Sequence, residues 1–163
     1  MEHRPLHLTP AALAQVAVGG CLGAAAREAI EQALPAHGGF PTATFAINLA
    51  GALCLGLLLE VLVRTGVDHR GHHTPRLVGG TGFLGGFTTY STFAVESDLL
   101  VHHGHTATAV LYAAGTVAGG IVLCALGIVT AAGLHGRFDL LPVDPDVDDD
   151  EDDDTEDGTG ARR

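Results

Sequence analysis

Thr44, Asn48 and Gly51 follow one another at i, i+4 and i+7, which puts a hydroxyl, an amide and a glycine on a single helix face. Tyr90 and Phe93 share a face by i, i+3 spacing, and Tyr112 and Thr116 by i, i+4. Hydroxyl and amide hydrogens and aromatic ring edges all carry partial positive charge. Because the chain has no Lys, an anion can be solvated along such a lining without being trapped by a fixed ammonium. Each group also has a purely structural reading: an intramembrane Asn joins helices through a hydrogen bond, and paired aromatics fill a core.

Glycine adds a second chemistry. Gly79, Gly80, Gly82, Gly85 and Gly86 crowd into one stretch that continues through Thr88, Thr89, Tyr90, Ser91, Thr92 and Phe93. Each Gly is about 1 kcal/mol less favourable than Ala inside a helix, so a helix here is expected to break at Gly85-Gly86. At bilayer depth a break is tolerated only where the freed backbone is buried in protein or lines a cavity. Unwound carbonyls are hard oxygen donors suited to a small alkali cation. The break is therefore a candidate ion site, with a packing kink as the alternative. Gly19-x3-Gly23, Ala52-x3-Gly56 and Gly115-x3-Gly119 are small-residue pairs that let helix backbones approach closely in lipid.

The elements that must position these groups are long and apolar. The uncharged runs Ala11–Ala26, Phe40–Leu59, Leu77–Val95 and Thr106–Leu134 hold 16, 20, 19 and 29 residues, against the ~20 that cross a bilayer as a helix. The expected organisation is an N-terminal segment at 1–10, a membrane body at 11–138 and an acidic, disordered tail at 139–163. Within the body the spans fall at about 11–34, 40–63, 76–101 and 106–134. The fold class is thus all-α integral membrane, with four transmembrane helices and the third broken at its centre. Arg27 and Glu28 stand where a signal sequence would be cleaved, so the first run reads as a retained span.

Charge sharpens this picture. Of the 163 residues, 139–163 hold 12 Asp/Glu against two Arg, while the body is close to neutral; the formal net charge of −11 describes the tail. The body's scattered Arg do not make the basic face that nucleic acid needs, and so few charges do not coat a large soluble enzyme. No nucleophile and base pair stands out. Cys21, Cys54 and Cys124 lie in apolar runs and imply no disulfide framework. The His groups 69, 72, 73 and 102, 103, 105 fall on opposite sides of the membrane in the expected topology, which argues against one metal site. With four crossings, Arg4, Arg64, Arg70, Arg76 and Arg137 share one side and the two opposite loops have no Arg, which places both termini in the cytoplasm.

Across about Val16 to Gly133, the chain resembles the Fluc (CrcB-type) fluoride channel family. The resemblance rests on Gly19-Gly-Cys-Leu-Gly-Ala-Ala-Ala-Arg27, Thr44-Phe-Ala-Ile-Asn48-Leu-Ala-Gly51, Gly85-Gly-Phe-Thr-Thr-Tyr-Ser-Thr-Phe93 with Glu96, and the span of Tyr112 and Thr116. It implies a multi-pass protein of the cell inner (plasma) membrane that passively exports fluoride and relieves its toxicity. In that family two antiparallel, dual-topology subunits enclose two pores and a structural Na⁺ at the dimer centre. The Na⁺ ligands would be the main-chain carbonyls of Gly85 and Thr88. The fluoride pore would be lined by Asn48, Tyr90, Ser91, Thr92, Phe93, Glu96, Tyr112 and Thr116, with Arg27 at its vestibule.

Two positions depart from the family pattern: Tyr90 stands where Phe is typical, and Gly120 where the fourth span often has Ser. A subunit that inserts both ways should carry little Arg asymmetry, so the one-sided Arg count leads to the expectation of an antiparallel heterodimer with a homologous subunit. Two other readings compete. One is a small multidrug exporter driven by Glu28, which has no use for a glycine-broken third span. The other is a membrane scaffold whose acidic tail recruits a partner.

Overall fold

The computed structural model describes residues 9–34, 39–65 and 74–138, with the side chains of Thr65 and 135–138 left aside. The expected acidic tail, Arg4, Arg70, His69, His72 and His73 lie outside the described residues, as does the side chain of Arg137. Among the described residues every regular element of more than one residue is helical: α1 (Pro10–Ala33), α2 (Thr42–Thr65), a π-helix (Arg76–Leu84), α3 (Gly85–Phe87), α4 (Tyr90–His102) and α5 (Thr106–Phe138). Thr9 starts α1 by accepting the Ala12 N–H at 3.4 Å, ahead of a proline whose missing N–H needs no partner at that position. The α4–α5 corner turns on Gly104 at φ 80°, with the His105 N–H returning to the Leu100 carbonyl at 2.8 Å.

The burial pattern is that of a chain surrounded by lipid. Its largest fully buried side chains are Tyr112, Ile47 and Thr44, two of them bearing hydroxyls, while Val18, Leu22, Leu111, Ile121 and Val129 face outward. Thr42–Arg64 and Thr106–Leu134, at 23 and 29 residues, are each long and apolar enough to cross a membrane. At 1.5 Å per residue they reach about 35 and 43 Å, against a hydrocarbon core of about 30 Å.

Two seams hold the helices together. Along the first, α1 lies against the π-helix and α3 with backbone on backbone. A Cβ at Gly19 would strike the Val78 carbonyl, one at Gly23 the Phe83 carbonyl, and one at Gly86 the Gly20 carbonyl. Along the second, α2 packs on α5, where Gly56 faces the Cys124 carbonyl and Gly127 the Leu53 carbonyl. Gly115 and Gly119 instead receive side chains, the Phe45 ring and Leu49.

The expectation of a break at Gly85-Gly86 needs correction. Gly85 is helical at φ −65°, ψ −34°, and the chain leaves helical geometry at Thr88 (φ −78°, ψ 153°) and Thr89 (φ −139°, ψ 122°). The physical reason lies in what the glycines are for. Gly82 and Gly86 lie against Val16 and Gly20 of α1, so here the absent side chain serves contact between helices. What opens the backbone is hydrogen bonding at the threonines.

Candidate ion pathway

Thr88 and Thr89 are extended; the Thr88 N–H still closes the preceding helix, but the Thr89 N–H and carbonyl drop out of the helical ladder and need partners. Asn48 on α2 supplies both for Thr89: its Nδ2 donates to the Thr89 carbonyl at 3.1 Å, and its Oδ1 accepts the Thr89 N–H at 3.0 Å. The amide thus acts as one rung of a sheet ladder. On the near side, the Thr88 N–H and hydroxyl both donate to the Leu84 carbonyl, at 3.0 and 2.9 Å, closing α3. On the far side, Thr89 Oγ1 accepts the Thr92 N–H at 3.1 Å and caps α4, while its hydroxyl donates to Thr92 Oγ1 at 3.0 Å and lies 3.3 Å from Ser91 Oγ. Gly51, one turn along α2, leaves the space that the Thr88 methyl occupies.

A second polar cluster lies farther along α4. Thr44 donates to one Glu96 oxygen at 2.9 Å and Tyr112 to the other at 2.8 Å. Both donors are buried, at 1% and 0% exposure, and the carboxylate joins α2, α4 and α5. Tyr90, Phe93 and Glu96 stand at i, i+3 and i+6, a stripe of about 9 Å along α4. The Phe93 ring lies between Tyr90 at 6.1 Å and Tyr112 at 5.2 Å, and Tyr112 also meets Phe40 edge-on at 5.5 Å. These tilted and edge-on contacts suit the ring quadrupole.

Between the break and α5 runs an open groove of about 680 Å³. Asn48, Thr88, Thr89, Tyr90 and Phe93 line it on one side; Thr116, Val117, Gly120 and Ile121 line it on the other. Tyr90, 82% exposed, stands at its edge. The Thr116 hydroxyl donates to the Tyr112 carbonyl at 2.7 Å, so it presents a lone pair to the groove and must rotate before it donates to an anion. Asn48 donates one amide hydrogen to Thr89, which leaves its second for the groove.

The sequence-expected residues therefore fall into two connected groups. Asn48, Thr88, Tyr90, Ser91 and Thr92 gather at the break; the half-buried Glu96 and the buried Tyr112 form the second cluster; Phe93 links them, and Thr116 lies beside them in the groove. Gly85 sits on an exposed helical face. Arg27 stands apart, one turn beyond Gly23, where α1 crosses Phe83 and Phe87. It pairs with Glu31 at 3.3 Å, and its Nε is buried without a partner among the described residues.

Three contributors escaped the sequence reading. Thr89 carries a signal, a threonine directly ahead of an apolar helical stretch. Phe40 and Phe45 carry none, since Tyr112 from α5 selects them through space.

Comparison with known proteins follows the same residues. The family described as "CrcB-like protein, Camphor Resistance (CrcB)" matches residues 14–128. A protein of Leifsonia xyli subsp. xyli named fluoride-specific ion channel FluC 2 is 43% identical over 133 residues, covering 82% of this chain and 92% of that protein. The fluoride-specific ion channel FluC of Sphingopyxis alaskensis is 42% identical over 116 residues, covering 70% and 90%. That of Novosphingobium aromaticivorans is 44% identical over 121 residues, covering 72% and 93%. The matched region runs from α1 into α5 and takes in the helix interruption and the Glu96 carboxylate; the chain is a membrane protein of the CrcB family.

Proposed function

We propose that the chain is one subunit of a channel that lets fluoride leave the cytoplasm passively across the cell membrane. The observation that carries this reading is the neutral groove beside the Asn48–Thr89 clamp, in a chain whose relatives are named fluoride-specific channels. Fluoride is small and strongly hydrated, so a path for it must replace water with many short-range donors. The Asn48 amide, the Ser91 and Thr92 hydroxyls and the ring edges of Tyr90 and Phe93 supply them in sequence toward Glu96, Tyr112 and Thr116. The Glu96 carboxylate holds two hydroxyl donors inward, and an approaching anion competes for those hydrogens. Arg27 would then serve the vestibule, its unpaired Nε offering a donor there.

One subunit presents only half of an enclosed path. The α5 side of the groove is open and apolar, which supports closure by a second subunit in antiparallel orientation, each spanning four times, this chain with both termini in the cytoplasm and its partner with both on the opposite side. The Arg placement argued from sequence favours a homologous partner of opposite bias over a second copy.

The family resemblance adds a structural Na⁺, and the donor set here fits one. No neighbouring helix or side chain crowds Gly85 within 4 Å of where a side chain would begin, and Thr88 turns extended at ψ 153°, carrying its carbonyl out of the helix. Both are neutral hard oxygens. When bound, the ion supplies fixed positive charge and a tie between subunits, and this chain's part is to hold the two carbonyls.

The test is fluoride efflux from liposomes carrying the protein with and without a co-expressed homologue. Fluoride-specific flux that needs no proton gradient is expected with the homologue present. Proton-coupled efflux of organic cations would overturn the channel reading. A fully active dimer of this chain alone would overturn the heterodimer while leaving the channel intact.

A further inference from the structure

In a continuous α-helix the N–H of residue i donates to the carbonyl of residue i−4. The Thr89 N–H would then engage Gly85, and the Thr92 N–H would engage Thr88. Neither does so. The Thr89 N–H goes to Asn48 Oδ1 at 3.0 Å, and the Thr92 N–H goes to Thr89 Oγ1 at 3.1 Å. Two side chains thus intercept the two hydrogens that would have occupied the two carbonyls.

We propose that Asn48 and Thr89 are the positioning residues of the cation site, each taking up one backbone N–H so that the Gly85 and Thr88 carbonyls keep their lone pairs for the ion. This rests on the Na⁺ reading given above and assigns its cause to these side chains. Asn48 suits the task because its amide is fixed at both ends. Nδ2 on the Thr89 carbonyl leaves only Oδ1 to face the Thr89 N–H, so the amide cannot flip without losing both bonds. Thr89 suits it because its own backbone is held by that clamp while its hydroxyl oxygen reaches the first turn of α4. The same amide borders the groove, so one side chain serves the anion path and the cation site together. Removing it should therefore impair two measurable properties, of which cation dependence is the one a mere lining residue would not control.

The experiment uses the full chain in lipid vesicles, with its partner subunit where efflux shows one is needed. Dimer fraction is followed as Na⁺ replaces N-methylglucamine at constant chloride, and fluoride efflux is recorded in parallel. Wild type should dimerise with a defined Na⁺ midpoint. Asn48→Leu and Thr89→Val should raise that midpoint by about tenfold or more, the usual scale for losing a residue that orients a metal ligand. Thr89→Ser, which keeps the accepting oxygen, should restore it. If wild type shows no Na⁺ dependence, the Na⁺ reading itself is wrong and this inference goes with it. If wild type responds to Na⁺ and the variants keep its midpoint, or lose dimer equally at every Na⁺ concentration, the positioning roles are wrong and the Na⁺ reading stands. Should Asn48→Leu fail to assemble, the milder Thr89→Val and Thr89→Ser pair decides the matter.

Discussion

The two sides of the molecule meet the same demand by opposite means. In lipid no hydrophobic force draws helices together, so association rests on close packing and on hydrogen bonds. Where α1 meets the π-helix and α3, packing does the work: Gly19, Gly23, Gly82 and Gly86 bring backbone onto backbone. Where α2 meets α4 and the break, hydrogen bonds do it, through Asn48 to Thr89 and through Thr44 to Glu96, with Tyr112 of α5 joining the same carboxylate. The glycine contact of α1 is intolerant of volume and the polar contact of α2 with α4 of lost partners. Groups suited to meeting an ion concentrate at the polar seam, where Thr44, Thr89 and Tyr112 are buried between the helices.

The largest effect should come from adding bulk to the glycine seam. In Gly23→Leu the new side chain meets the Phe83 carbonyl and the Phe87 nitrogen, both backbone and unable to swing aside. Overpacking at such a site destabilises by about 3 kcal/mol or more, so no folded subunit should be recovered from membranes on size-exclusion chromatography. Recovery of active protein would show that this seam yields, and the contrast would collapse.

Emptying the polar seam should do less. Glu96→Ala leaves the buried Thr44 and Tyr112 hydroxyls without their acceptor, at about 1–3 kcal/mol each. The protein should still be extractable, with a thermal midpoint in detergent well below wild type. Tyr112→Phe removes one of those two bonds and keeps the ring among Phe40, Phe45 and Phe93. About 1 kcal/mol is expected, and an unchanged midpoint would mean the carboxylate pairs elsewhere. Least of all should follow from Tyr90→Phe, since that side chain is 82% exposed. Stability should stay within about 0.5 kcal/mol, and any change in fluoride efflux would then belong to conduction and the partner's fit.

Much of the polar seam could be read from spacing. Thr44, Asn48 and Gly51 recur with helical period, and all three face the α3–α4 region, at Glu96, Thr89 and the Thr88 methyl respectively. The glycine-rich stretch is legible as unusual but the break falls three residues later than expected, because propensity says what a helix loses at glycine and is silent about a neighbouring helix that gains by it. The opening at Thr88 and Thr89 depends on an amide some 41 positions away in the chain. No local pattern around the threonines contains that amide. Phe40 and Phe45 were invisible for the same reason, since their place is set by the Tyr112 ring.

The extended pair at Thr88 and Thr89 also separates the C-terminal end of one helix from the N-terminal end of the next. The stretch ending at Phe87 points its carbonyls at the gap, and α4 begins with amides directed back toward it. Aligned peptide dipoles place roughly half a negative charge at a helix C-terminus and half a positive charge at an N-terminus. Within two residues the backbone therefore passes from a locally negative potential to a locally positive one, with no ionised side chain at either residue. That change of sign owes nothing to a titrating group, so it does not vary with pH.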